Sequence, residues 1–218
     1  MTRWCMIIDL KRCTGCQACA MACKAENLTP PGIKWARVLD YETGSYPNTR
    51  REFFPVLCMH CEEPPCVPVC PTGASIQRED GIVWVDYDKC IGCEQCRTAC
   101  PYDARHPYDD RAPYFAAGFT PIEELNLELL GIQRHKVGTV QKCTFCMHRI
   151  NAGIEKGLKP GIDWEATPSC VNACPTGARV FGDLNDLASE VSRLIRYRYG
   201  YQFRAELETE PSVYYLPA

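Results

Sequence analysis

The chain has 218 residues, and 17 of them are cysteine, about 8%, near the level at which cysteine chemistry dominates a fold. A formal net charge of −3 with 23% charged residues excludes the basic surface of a nucleic-acid binder, and 46% hydrophobic content argues against disorder. The longest stretch free of Asp, Glu, Lys and Arg, Pro64–Gln77, has 14 residues and is too short to span a bilayer. The start, Met1–Asp9, does not read as a signal peptide: its apolar run is short and no small-residue cleavage site follows.

In chain order, Cys5–Leu10 is the first predicted strand, followed by Cys13-x2-Cys16-x2-Cys19-x3-Cys23. Residues Asn27–Arg50 contain Pro30, Pro31, Gly32 and Gly44 and read as a loop with one strand near Ile33–Leu39. A strand at Glu52–Leu57 leads into Cys58-x2-Cys61-x4-Cys66-x3-Cys70-Pro71. A strand at Ile82–Tyr87 leads into Cys90-x2-Cys93-x2-Cys96-x3-Cys100-Pro101. The insertion Asp103–Gly138 carries a helix start, with Thr120 as N-cap, Pro121 first and Glu123 closing a capping box. A strand at Thr139–Gln141 precedes Cys143-x2-Cys146, a 23-residue gap and Cys170-x3-Cys174-Pro175; Val180-Phe181 is a further strand candidate. A short helix is expected between the third and fourth cysteines of each run. Leu187, Val191, Leu194 and Ile195 recur at helical spacing, predicting an amphipathic helix over 186–199 that packs on its own domain. The end, Leu207–Pro217, acidic and then aromatic at Tyr214 and Tyr215, reads as an extended arm suited to lie along another subunit.

Four groups of four use sixteen of the 17 cysteines and leave Cys5 over. A disulfide framework would need an exported chain and does not explain the clustering. Structural zinc sites also use four thiolates, but usually from two separated Cys-x2-Cys knuckles. Three cysteines within seven residues, a fourth after x3 and then proline match bacterial-type ferredoxin ligation of four-iron cubes. Cysteines at i, i+3 and i+6 on a curled loop reach three corners of one cube. The fourth thiolate comes from elsewhere, as in two-cluster ferredoxins, where the last cysteine of each run ligates the other cluster. Gly15 and Gly92 fill the same slot of the first and third runs, where a positive φ turns amides inward at little cost.

The repeat extends beyond the runs. Ile8–Cys16 parallels Val85–Cys93, and Cys70-Pro-Thr-Gly-Ala74 recurs as Cys174-Pro-Thr-Gly-Ala178, more loosely as Cys100-Pro-Tyr-Asp-Ala104. Four half-units make two ferredoxin-like folds, and their small apolar area puts much of the stability on the clusters. Cys5 reads as a small buried residue of its strand. His60 and His148 neighbour ligands, but thiolates already fill all the slots. Lys24, Arg97, Lys142 and Arg149 lie near ligands in sequence; a charge there raises a cluster's potential where it is not simply solvated. There is no Gly-rich nucleotide loop and no catalytic acid–base pair in a special context.

The combination of Cys23-Lys-Ala-Glu-Asn27, Cys58-Met-His-Cys61-Glu-Glu-Pro-Pro-Cys66, and Gly81-Ile-Val83 leading to Asp88-Lys-Cys90-Ile-Gly-Cys93 resembles a known family. It is similar to the four-cluster iron–sulfur (beta) subunits of the dimethyl sulfoxide reductase family of molybdenum or tungsten bis-pterin oxidoreductases, among them polysulfide, thiosulfate, tetrathionate and arsenate reductases. The resemblance runs from Arg3 to about Leu184, with an echo in Pro211–Leu216. It departs from the nitrate reductase branch, where a third-run cysteine is replaced and a three-iron cluster results, because Cys93 is present.

The resemblance implies an α+β chain of two interleaved ferredoxin-like folds with loop and helix insertions. Residues 1–29 with 139–184 would form one fold and 50–110 the other, with 30–49 and 111–138 as connecting insertions and 185–218 as C-terminal helix and arm. It assigns Cys13, Cys16, Cys19 and Cys174 to cluster one, and Cys23, Cys143, Cys146 and Cys170 to cluster two. Cys58, Cys61, Cys66 and Cys100 go to cluster three, and Cys70, Cys90, Cys93 and Cys96 to cluster four. The four [4Fe–4S] clusters would form a wire in that order. The implied role is electron transfer, without catalysis of its own, between a bis-pterin catalytic subunit at cluster one and an integral-membrane quinone-linked subunit at cluster four. The implied place is peripheral to the membrane, on the periplasmic side by co-export with the catalytic subunit or in the cytoplasm. A stand-alone soluble polyferredoxin is the alternative; the insertion and the arm speak against it.

Overall fold

A computed structural model of the chain describes residues 1–110, 112–116, 118 and 135–218. The helix start expected at Thr120, Pro121 and Glu123 lies outside the described residues.

The largest sheet has four strands in the order β8-β1-β10-β9. Strand β1 (Trp4–Asp9) is its spine and is buried at every position. It pairs antiparallel with β8 (Arg179–Asp183) and parallel with β10 (Val213–Leu216), and β10 pairs antiparallel with β9 (Tyr201–Gln202). Period-two alternation divides β1 between two cores. Trp4, Met6 and Ile8 point into the large core, whereas Cys5 and Ile7 point into a small one with Val191 and Leu216. Cys5 is fully buried, as its strand position predicts.

The tail departs from the sequence expectation. Residues 213–216 form an inner strand of this chain's own sheet rather than an arm on another subunit. Tyr215 is fully buried, stacks on Phe54 at 4.4 Å, and donates its hydroxyl to Pro55 O at 2.8 Å. Four residues flanked by Pro211 and Pro217 are too short a run to announce burial by periodicity. What selects them is the open edge of β1, whose backbone groups need partners.

Helix α5 (Glu190–Tyr197) covers the small core through Val191. It starts four residues later than expected because Ser189 is its N-cap, accepting from Ser192 N at 3.2 Å. It runs into a left-handed Tyr199 ahead of Gly200.

The stretch read as a loop with one strand is instead a long hairpin, β2 (Arg37–Ser45) with β3 (Asn48–Val56), in register from Arg37–Val56 to Ser45–Asn48. Its outer part is exposed on both faces, so no apolar alternation marks it in the sequence. Its base leans on the first cysteine run: Phe53 fills the space a Cβ at Gly15 would take, so Gly15 serves both φ +69° and this close approach.

Two small hairpins complete the sheets, β4 (Ser75–Gln77) with β5 (Val83–Val85) and β6 (His106–Tyr108) with β7 (Thr139–Gln141). Helices follow three of the cysteine runs as expected: α1 (Ala18–Asn27) carries Cys19 and Cys23, α2 (Gln95–Thr98) carries Cys96, and α4 (Ser169–Asn172) carries Cys170. Between Cys66 and Cys70 there are turns instead. Helix α3 (Met147–Glu155), directly after Cys146, has no preferred N-cap residue to signal it; Cys146 itself is the left-handed cap, φ 54°.

Candidate cluster-binding sites

The runs build their loops in the same way. Gly15 and Gly92 have φ +69° and +67°, and the residues two further on, Gln17 and Glu94, are also left-handed at the head of α1 and α2. In the Cys-Pro repeat, Gly73 and Gly177 are left-handed, and Asp103 takes that conformation in the third copy. Successive left-handed residues curl the loop and aim its amides at one centre.

Cys70 accepts from Ser75 N at 3.4 Å, Cys174 accepts from Ala178 N at 3.2 Å, and each thiol lies 3.7 Å from the hydroxyl of its own Cys-Pro-Thr threonine. Burial pushes both thiols up, but these hydrogen bonds more than offset it, so both are held below the usual thiol range. The thiolate, which is the iron-binding form, is favoured there.

Two groups of four cysteines each line a shared cavity. Cys58, Cys61, Cys66 and Cys100 line one cavity, walled also by Pro64, Pro65 and Tyr102. Cys70, Cys90, Cys93 and Cys96 line a second. Cys23 is held well above the usual thiol range by burial and then by Cys143, Cys146 and Cys170. Cys13 is raised by burial and, against a hydrogen bond from Gly15 N, by Cys19 and Cys174. Cys16 lies exposed on the same loop.

Three of these thiol influences cross between the sets that the resemblance implies. Cys170 is raised by burial and by Cys19, opposed by Arg179. Cys143 is pushed up to about 12 by burial, then by Cys170 of its own set and Cys58 of the next, opposed by Lys142. Cys96 is raised by burial, opposed by Arg105, then raised by Cys66 of the neighbouring set and by Cys90 and Cys70 of its own.

The donor set fits iron–sulfur clusters better than single ions. Among the described residues, no three Cys, His, Asp or Glu side chains close tightly enough for one metal ion. Thiolates around a cube must instead stand apart at its corners. Arg105 and Arg179 are buried beside thiols rather than carboxylates, and Arg105 Nη1 and Arg179 Nη2 have no hydrogen-bond partner. A buried guanidinium needs an anion. Anionic clusters would meet that need, with the sixteen cysteines holding them.

Of the four cations singled out by sequence, only Lys142 is buried against a cysteine backbone, donating to Cys143 O at 2.6 Å and to Val83 O. Lys24 instead donates to the carbonyls of Thr29, Pro30 and Ile33, Arg97 pairs with Glu94 at the surface, and Arg149 pairs with Glu26. His148 bonds Glu26 as well, whereas buried His60 stacks on Phe145 at 3.8 Å and accepts from Val83 N.

Sequence reasoning misses three residues near the thiols. Asn27 reaches Cys23 Sγ at 3.7 Å and Cys146 Sγ at 3.9 Å, and Arg105 and Arg179 reach cysteines at 2.8 and 3.8 Å. A signal exists for the arginines, because both stand five residues after the last cysteine of a run, in Cys100-Pro-Tyr-Asp-Ala-Arg105 and Cys174-Pro-Thr-Gly-Ala-Arg179.

Comparison with known proteins agrees with this chemistry. The 4Fe-4S dicluster domain matches twice, at residues 12–74 and 49–115. The chain is 42% identical to the B subunit of selenate reductase from Mesobacillus selenatarsenatis, over 98% of its own length and 72% of that protein's. It is 43% identical to the B subunit of sulfite dehydrogenase from Allochromatium vinosum, over 100% and 84% of the two chains. It is 36% identical to the arsenate respiratory reductase iron–sulfur subunit of a Shewanella species, over 97% and 94%. Two tandem 4Fe-4S ferredoxin-type domains and relatives of this kind over nearly the whole chain lead to one conclusion: the chain belongs to the iron–sulfur, electron-transfer beta subunits of the dimethyl sulfoxide reductase family.

Proposed function

We propose that the chain holds four [4Fe–4S] clusters in a single file and works as the electron-transfer subunit of a respiratory oxidoreductase, between a molybdenum or tungsten bis-pterin catalytic subunit and an integral-membrane quinone-linked subunit. The sets are Cys13, Cys16, Cys19 and Cys174; Cys23, Cys143, Cys146 and Cys170; Cys58, Cys61, Cys66 and Cys100; and Cys70, Cys90, Cys93 and Cys96. Bound there, the clusters supply one-electron redox chemistry. The chain's residues set their spacing, burial and charge.

The observation that supports this reading is that thiols assigned to successive sets act on one another electrostatically: Cys19 on Cys170, Cys58 on Cys143, and Cys66 on Cys96. The pairing of β1 with β8 and of β4 with β5 supports two interleaved folds, 1–29 with 139–184 and 50–110, joined through 30–49 and 111–138 and followed by 185–218. The first set's end would meet the catalytic subunit and the fourth set's end the membrane subunit. No helix of the described residues is long and apolar enough to cross a membrane, which suits a peripheral subunit. On that reading it sits on the periplasmic side, co-exported with its partner, or in the cytoplasm, and the substrate is a sulfur compound or arsenate. Relatives named as subunits of tetrathionate and arsenate reductases favour this over a stand-alone soluble carrier.

The test is isolation from the native host under anaerobic, mild conditions. The expected product is a complex containing a pterin subunit, with about sixteen irons on this chain, the count that four four-iron cubes require. Recovery of the chain alone removes the complex, and far fewer irons removes the four sets.

A further inference from the structure

The three crossings between thiol sets share a feature the repeat alone does not require. At each of them lies one cation, almost fully buried, with no carboxylate against it among the described ion pairs. Arg179, 4% exposed, reaches Cys170 Sγ at 3.8 Å and acts on Cys19 and Cys174 of the first set. Lys142, 1% exposed, donates to Cys143 O at 2.6 Å and to Val83 O, and Val83 lines the cavity shared by Cys58, Cys61, Cys66 and Cys100. Arg105, 2% exposed, lines both cavities, donating to Cys66 Sγ at 2.8 Å and Ser75 Oγ at 2.6 Å and acting on Cys96.

The two arginines are repeat mates, each five residues past the last cysteine of its run. Lys142 has repeat mates too, because Arg12 and Lys89 also precede the first cysteine of a run. Those two stay at the surface, where Lys89 pairs with Asp86 at 3.0 Å and Arg12 donates to Gly177 O at 3.2 Å. The basic residue of that slot is buried only where the second and third sets meet.

We propose that Arg179, Lys142 and Arg105 are positioning residues for electron transfer, one cation per junction, each raising the reduction potential of both clusters between which it stands. Reduction adds a negative charge to a buried, already anionic site, so a fixed cation shared by two sites favours the reduced form of both. Each inner cluster stands at two junctions and each end cluster at one, so the cations raise the inner pair more than the ends. The Nη atoms of Arg105 and Arg179 left without protein partners are the donors that would face the clusters.

This inference rests on the four-cluster reading, and the experiment separates the two. Redox-poised paramagnetic resonance titration of the full chain, in its complex, compares Arg179→Gln, Lys142→Gln and Arg105→Gln with the charge-keeping Arg179→Lys, Lys142→Arg and Arg105→Lys. Each Gln variant is expected to lower two of four midpoints, with neighbouring variants sharing one affected cluster, and each charge-keeping variant is expected to retain most of the native values. Fully loaded Gln variants with unmoved midpoints overturn the proposal, as do charge-keeping variants that shift as far as the Gln ones. If a Gln variant loses iron, recovery of that iron by its charge-keeping partner supports the proposal, and no recovery overturns it. Wild-type protein lacking four titrating clusters refutes the earlier reading instead.

Discussion

The four-stranded sheet and the region around Cys70, Cys90, Cys93 and Cys96 are held together in different ways. The sheet carries its own apolar interior: β1 is buried along its whole length, with Trp4 stacked on Phe181 at 5.5 Å and Tyr215 on Phe54. Among the described residues, the fourth cysteine set is flanked by two satellite apolar clusters of a few residues each, one of Cys66, Val83, Cys96 and Val140 and one of Ala74, Val85 and Tyr87. Its hairpin, β4 with β5, is three residues per strand, and Cys93 is exposed. A two-stranded ribbon of that size is marginal without help. The sheet is therefore a scaffold that folding physics alone can support, whereas on the proposed reading the fourth set is a place where metal binding and folding would be one event.

The largest effect that breaks or sharpens this contrast should come from removing iron. Chelation under reducing conditions is expected to collapse hydrogen-exchange protection across 70–105 while leaving β1, β8 and β10 protected; equal loss in both regions would erase the distinction. Next, Cys96→Ala takes one thiolate from the fourth set and is expected to remove at least one of about sixteen irons, leaving a three-iron cluster or none there, and to change or abolish one signal; iron analysis beside the titration reads this directly. On the other side of the contrast, Tyr215→Ala empties a packed position of the sheet. It should cost about 3–5 kcal/mol, the range for aromatic truncation in a core, measured by thermal unfolding of the loaded protein with iron content unchanged at low temperature. The smallest effect is expected from Ser189→Ala, which removes the cap of α5 at about 1 kcal/mol with the redox titration unaltered.

Legibility followed the range of the interactions. β7 has the bounds its composition suggested, Thr139–Gln141, and β1 lies one residue from its expected place, because each is bracketed by turn residues and a cysteine run. The outer β2–β3 hairpin left no mark, since strands exposed on both faces need no alternation. Helix α3 escapes sequence reading because its cap is a left-handed Cys146, a conformation imposed by the loop rather than by a preferred capping side chain. Among the charged residues, nearness along the chain decided little: Lys24, Arg97 and Arg149 stand beside cysteines in sequence but direct their charge to carbonyls and carboxylates. Asn27 and the two arginines reach sulfur from farther off.

The spacing of the cysteines, read alone, determined the donor type, their division into four runs and the ferredoxin-type chemistry, because a cube and a tightly curled loop admit few separations between thiolates. Only the tertiary structure decided that Val213–Leu216 enters the sheet beside β1 and that Arg179, Lys142 and Arg105 lose their water at the three junctions. Burial is a property of what surrounds a residue, and here the surroundings come from segments far apart in the chain.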